Sequence, residues 1–130
     1  MATKGSLSLA GLEKYLEEFA AAGRDVDGAA ANALRAGATE VVLPEMIKLV
    51  PKDSHNLEEH LEAGEVVRDG NFSSIDVGIL DADKETAIYG NVQEFGSSSV
   101  EAQPYIRPSF AKKTAIRKAM EKSLKSDGLV

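Results

Sequence analysis

The side chains of this chain that could do chemistry fall into four short clusters. His55-Asn56-Leu57-Glu58-Glu59-His60 carries imidazoles and carboxylates, the donor types that hold zinc. Zinc-binding helices place two ligands at i and i+4, on one face. Here the histidines stand at i and i+5, about 140° apart around a helix, and no third ligand is evident. Two polar residues around a helix start explain the cluster, and no metal is expected. Asp81-Ala82-Asp83-Lys84-Glu85 has the opening of a calcium loop. Its sixth position is Thr86 rather than Gly and its twelfth is Val92 rather than Glu, so it reads as a turn. Gly90, Gly96 and Ser97 to Ser99 could cradle a phosphate, but neither Gly-Lys-Ser/Thr nor GxGxxG accompanies them. They read instead as ends of elements and a mobile polar loop. No Ser/His/Asp arrangement is readable and Cys is absent. Neither an enzyme activity nor a cofactor is expected.

The fourth cluster is the richest: residues 89–110, YGNVQEFGSSSVEAQPYIRPSF. Pro104 and Pro108 fix φ at both ends of a short step. Each also pushes the residue before it, Gln103 and Arg107, toward extended geometry. Tyr105 and Ile106 are therefore expected on a stiff elbow between a sheet and a helix. Arg107, at this turn, suits a fixed pair with a carboxylate. Glu94 is the expected partner, within the subunit or on a neighbour; the alternative is a merely exposed Arg. The pattern builds a shaped joint, not a reaction centre.

In this segment the chain resembles the tail-component (neck protein) family of long-tailed, lambda-like bacteriophages (siphoviruses). Members carry an aromatic-containing strand ending in Glu-Phe-Gly, a short polar loop, and a Gln-Pro-aromatic-aliphatic-Arg-Pro turn entering the last helix. The matching residues are Glu94, Phe95, Gly96, Gln103, Pro104, Tyr105, Ile106, Arg107 and Pro108. Upstream, the family shows a proline after its long helix and then a Thr-Gly-x-Leu-like step. This chain has Pro51, then Ser54-His55-Asn56-Leu57, with His55 where the family usually has glycine. The resemblance covers residues 30–125 in order and is specific over 94–108. It implies a structural virion protein of the head–tail junction, a ring-forming neck or tail-completion (tail terminator-like) subunit. Its implied partners are further copies of itself and other head-completion or tail proteins, with DNA passing through the ring without specific binding. The nine matching residues then become candidate subunit-interface residues.

Bulk properties bound these readings. At 130 residues the chain is expected to form one domain. Apolar residues make up 43% and aromatics only 5%, so the core should be Leu, Val, Ile and Ala. Absent cysteines exclude disulfides and fit a reducing compartment. No apolar run approaches the roughly 20 residues of a membrane span, and no signal-like segment follows Met1. A soluble chain made in the host cytoplasm, with no membrane partner, is expected. Charge is uneven: residues 104–130 carry +5 and the rest −11. An acidic body with a basic end is self-complementary and favours head-to-tail association, although a solvated basic face would look the same. That face, Lys112, Lys113, Arg117, Lys118 and Lys122 with Lys125, supports the alternative function, a DNA-associated accessory module. Against this alternative, it lacks interleaved aromatics and the whole chain is acidic.

The secondary structure that would carry these residues is legible from periodicity. Residues 8–22 read as an amphipathic helix through Leu9, Leu12, Leu16 and Phe19, with Tyr15 beside them, ended by Gly23. Asp25 or Asp27 caps a long helix from about Gly28 to Val50, with Ala30, Ala33, Leu34, Val41, Ile47 and Val50 available for the core face. Pro44 should kink it and Pro51 closes it. Asn56, with Glu59 reaching back, should cap a short turn; alternatively Leu57 to Leu61 leads directly into a strand. Val66-Val67 and Ile75-Asp76-Val77-Gly78-Ile79 read as strands joined through Asp69-Gly70-Asn71. Residues 86–95 read as a third strand, or a strand followed by a helical turn. Residues 109–126 read as a closing helix with Ile116, Met120 and Leu124 inward. The expected class is α+β: a small antiparallel sheet packed against a long N-terminal helix and a C-terminal helix. Residues 1–5 and 127–130 are expected to be flexible.

Overall fold

In a computed structural model, described for residues 3–9, 11–23, 25–52, 55–69 and 72–127 without the side chains of Tyr15 and Phe19, the chain is α+β. The order is β1 (Thr3–Ser8), α1 (Glu13–Ala21), α2 (Val26–Gly37), a wide π turn (Ala38–Val42), α3 (Leu43–Leu49) and α4 (Asn56–His60). Then follow β2 (Leu61–Ala63), β3 (Val67–Asp69), β4 (Phe72–Ile79), α5 (Lys84–Phe95), α6 (Ile106–Phe110) and α7 (Lys113–Ser126).

Strand β4 is central. β1 pairs with one side of it and β2 and β3 with the other, all antiparallel. From Leu61 to Val67 the edge advances six residues while its partners on β4, Ile79 to Ser74, advance five. The extra residue is a bulge, and the Gly64 N–H donates to the Asp76 carbonyl there at 2.8 Å. Asp69 faces Phe72 across the expected hairpin; Gly70 and Asn71 themselves lie outside the described residues.

Ile75, Val77 and Ile79 alternate inward along β4, as the period of two requires. They meet α2, the π turn, α3 and α4, while α7 packs on α2 and the π turn; Leu34, Met46, Met120 and Leu124 are buried in the same core. Asp25 caps α2 through the Gly28 N–H at 3.1 Å. The helix runs into the π turn without a break, and the Leu43 N–H reaches the Ala38 carbonyl, five residues back. The wide turn has two consequences. A proline ring clashes with the carbonyl four residues earlier in a regular helix, and the widened turn lies immediately ahead of Pro44. Core residues Leu34, Ala38, Val42, Met46 and Val50 are all four apart. Such a row drifts about 40° per step on an α-helix, and a wider turn takes part of that back. Ile47, expected in the core, is therefore 37% exposed, with Met46 inside instead.

Four expectations are corrected. Residues 3–5, expected to be loose, begin β1; Met1, Ala2 and residues 128–130 lie outside the described residues. The first helix starts at Glu13, because residues 3–8 are strand, though Leu12 is buried and Gly23 follows its end as expected. Residues 84–95 are helix, not strand: Asp83 caps them, accepting from the Thr86 N–H at 3.1 Å and the Thr86 hydroxyl at 2.7 Å. At the start of α4 the cap position is His55, not Asn56; the Asn56 amide donates to Thr86 Oγ1 at 2.9 Å. Leu57 to Leu61 combines both readings, one helical turn and then β2.

His55 has φ +59°, the one positive φ among described non-glycine residues. A Cβ in that region costs about 1–2 kcal/mol. Its side chain is 62% exposed and lies 3.6 Å from Glu58. His55→Gly is expected to raise stability by about 0.5–1 kcal/mol, read as an upward shift of the urea midpoint. A downward shift would mean that the Glu58 contact, not the backbone, governs this turn.

Candidate functional site

The joint over residues 90–110 is built around one carboxylate. Glu94 lies on the inner face of α5 and is 1% exposed. Its Oε1 accepts from the backbone N–H groups of Tyr105 (2.8 Å) and Ile106 (2.6 Å). Its Oε2 accepts from the Arg107 N–H (3.1 Å) and from Arg107 Nε (2.7 Å). Arg107 Nη2 returns to the Glu94 carbonyl at 2.6 Å. The start of a helix leaves N–H groups without intrahelical partners. Glu94 supplies the acceptor for the start of α6 from a different helix. Burial pushes the Glu94 carboxyl up, but the bonds from Ile106, Arg107 and Tyr105 outweigh it, and the net direction is down.

Around this centre the neighbours lock in turn. Tyr105 is fully buried, and its hydroxyl donates to the Gly90 carbonyl at 3.0 Å. A Cβ on Gly90 would stand 2.9 Å from that hydroxyl and 2.7 Å from Ile79 Cδ1, so glycine is what lets the ring lie against α5. Burial, and then the Glu94 charge, push the phenol well above its ordinary range. The Gln103 N–H donates to the Gln93 carbonyl at 2.7 Å. Gly96, at φ +78°, ends α5. The guanidinium of Arg107 lies over the Phe95 ring, 4.8 Å from its centroid.

The expected Glu94–Arg107 pair thus forms within the chain. Of the nine candidate interface residues, Glu94, Tyr105 and Ile106 are buried and engaged inside it. Gly96, Pro104 and Pro108 are half-buried. Phe95, Gln103 and Arg107 are exposed. Two geometric expectations change. The elbow joins two helices, α5 and α6, rather than a sheet and a helix. Arg107 is helical despite the following proline, because Pro108 falls in the first turn of α6, where a missing N–H costs little. The serine loop closes on itself: the Ser97 N–H donates to the Val100 carbonyl at 2.9 Å, and Ser97 Oγ accepts from the N–H groups of Ser99 and Val100.

On α7, Ile116, Met120 and Leu124 face inward, and Lys113, Arg117, Lys118, Lys122 and Lys125, with Lys112 at the cap position just before the helix, are all exposed. Elsewhere, His60 Nδ1 lies 2.8 Å from the Asn56 carbonyl, so the two histidines are not brought together on a common ligand. Among the described residues no group of three or more potential metal ligands converges, and no helix is long and apolar enough to cross a membrane.

A cleft of about 420 Å³ runs between the elbow and β1, lined by Thr3 to Ser6 together with Phe95, Arg107 and Phe110. The Phe110 ring lies where a Cβ on Gly5 would be, 2.3 Å from it. A second cleft, lined by Ser6, Leu7, Phe110, Lys113, Arg117 and Met120 among others, continues along β1. Sequence reasoning missed this surface because it missed β1. The glycine at position 5 beside short polar residues was the available signal.

No protein-family model matches the chain, and no curated protein or solved structure gives a match.

Proposed function

We propose that this protein is a structural subunit of a phage head–tail junction, a ring-forming neck or tail-completion component that helps join the tail to the DNA-filled head. The observation that carries the reading is the coherence of the motif behind the resemblance. Glu94 holds the backbone of Tyr105, Ile106 and Arg107 and the Arg107 side chain, and Gln103 bonds the neighbouring Gln93 carbonyl, so that the motif residues on the two sides of the loop form one interlocked joint. A joint held this way presents Phe95 and Arg107 at fixed positions on the surface, which is what a repeating protein contact requires. In this role the acidic body would face the passage and repel DNA, letting it slide.

The test is electron microscopy of particles from a parent phage or prophage lacking this gene, with purified protein added back. Filled heads beside separate tails, joined on add-back, are expected. Normal infectious virions without the gene would remove the role. The exposed cations of α7 favour a second reading, a DNA-associated module. It requires retention on duplex DNA that falls steeply with salt and weakens on neutralising Lys112, Lys113, Arg117 and Lys118; no retention at low salt would dispose of it.

A further inference from the structure

We infer that copies of this chain bind one another through opposite sides of the sheet, the exposed Val67 and Phe72 of one copy seating in the cleft beside β1 of the next. The inference rests on the reading that the chain is an assembly subunit, and it names the two surfaces.

The accepting surface is β1. The Gly64 bond to the Asp76 carbonyl turns the Asp76 backbone toward β2 and β3. In an antiparallel ladder the flanking residues Ile75 and Val77 then turn toward β1, where Leu7 and Gly5 face them. The backbone groups of Lys4 and Ser6 consequently point away from β4, into the open cleft. Their side chains bind Asp76 on the sheet's outer face and do not cover the edge. Natural edges are blunted by bulges, charge or brevity. The β2–β3 edge is bulged and broken into three-residue pieces, whereas β1 runs six residues without a bulge. Phe95, 59% exposed, stands on the cleft wall, and Ile88, 45% exposed, is two helical turns away on the same face of α5.

The donating surface lies across the sheet. Val67 and Phe72 are 60% and 59% exposed and share its outer face, since Val67 faces Ser74, two residues from Phe72. Residues 58–69 around them hold five acids, Glu58, Glu59, Glu62, Glu65 and Asp69, against one Arg. The accepting side is flanked by α7 with its exposed lysines. Apolar residues thus meet apolar residues inside a complementary rim, the arrangement of specific interfaces. Because β4 stands between the two edges, one copy cannot satisfy both surfaces itself. The contact is heterologous, so it propagates into a ring or filament.

Sedimentation velocity over a concentration series tests this, with two blocked variants. Val67→Ser with Phe72→Ser removes the donor; Phe95→Ser with Lys113→Glu removes the acceptor. All four residues are exposed, and circular dichroism checks that each variant stays folded. The wild-type chain is expected to associate, more weakly as salt rises, and each variant to raise the dissociation constant about tenfold or more. The two variants mixed in equal amounts should form a heterodimer that grows no further. A wild-type chain that stays monomeric even as two copies joined by a flexible linker, where the effective concentration is on the order of millimolar, would overturn the inference. Association unchanged in the variants, or a mixture that fails to pair, would overturn it as well. Association by a chain whose deletion leaves normal virions keeps this contact and removes the phage role. A particle defect from a chain that fails these tests keeps the role and removes the contact.

Discussion

Glu94→Ala is expected to destabilise the fold by about 3–5 kcal/mol, the cost of leaving buried N–H groups without an acceptor and of breaking a buried pair from its buried side. Tyr105 and Ile106 N–H lose their only acceptor in the joint, and the start of α6 is left open. Glu94→Gln keeps one acceptor oxygen but turns an amide toward Arg107, and should cost about 1–3 kcal/mol. Arg107→Ala should cost less than either, because the Arg107 side chain is 58% exposed and the carboxylate keeps three backbone donors. The order Ala at 94, then Gln at 94, then Ala at 107, measured by urea denaturation, is the signature of a carboxylate that caps a helix. Equal losses at 94 and 107 would mean that the ion pair alone holds the joint.

The same carboxylate sets a pH dependence. Its folded pKa lies below the unfolded carboxyl value of about 4.3. The stability it contributes is therefore complete above about pH 4.3 and lost as pH falls through the folded value. The melting temperature of the wild type should drop more steeply below that pH than that of Glu94→Gln. Parallel curves would show that Glu94 does not drive the loss.

Gly78→Ala should rival Glu94→Ala, at about 3 kcal/mol or more. Gly78 sits in the central strand at φ +148°, and a Cβ there would stand 2.5 Å from the Thr3 carbonyl oxygen and 2.7 Å from Lys4 Cα. Both obstacles are backbone, so no rotamer change relieves them. β1 must move off β4. Hydrogen exchange should then show Thr3–Ser8 losing protection while β2 and β3 keep their pairing with β4. A variant with protected β1 and unchanged stability would refute this account of the sheet. Since β1 bears the cleft proposed for self-association, the same variant should also fail to associate through its acceptor.

Elements whose signals are local were legible in the order of the residues. Asp25 at the head of α2 and Gly23 after α1 act through bonds and dihedrals within a few residues. The Ile116–Met120–Leu124 stripe and the Ile75–Val77–Ile79 alternation express helix and strand periods directly. The Glu94–Arg107 pairing was legible because a fixed turn limits where a guanidinium can reach. The rest depended on contacts between distant segments. In α5 the apolar residues Ile88, Tyr89 and Phe95 face out, while Thr86, Ala87, Gly90, Gln93 and Glu94 are buried. The hydrophobic pattern misled there because the inner face had to be small enough to admit Tyr105 and polar enough to cap α6. β1 carries one large apolar residue, Leu7. It became a strand because β4 offered an unpaired edge and Phe110 needed a residue without a side chain at Gly5. Local propensity reports what a segment prefers alone; which edge it completes and which ring it accommodates are properties of its partners.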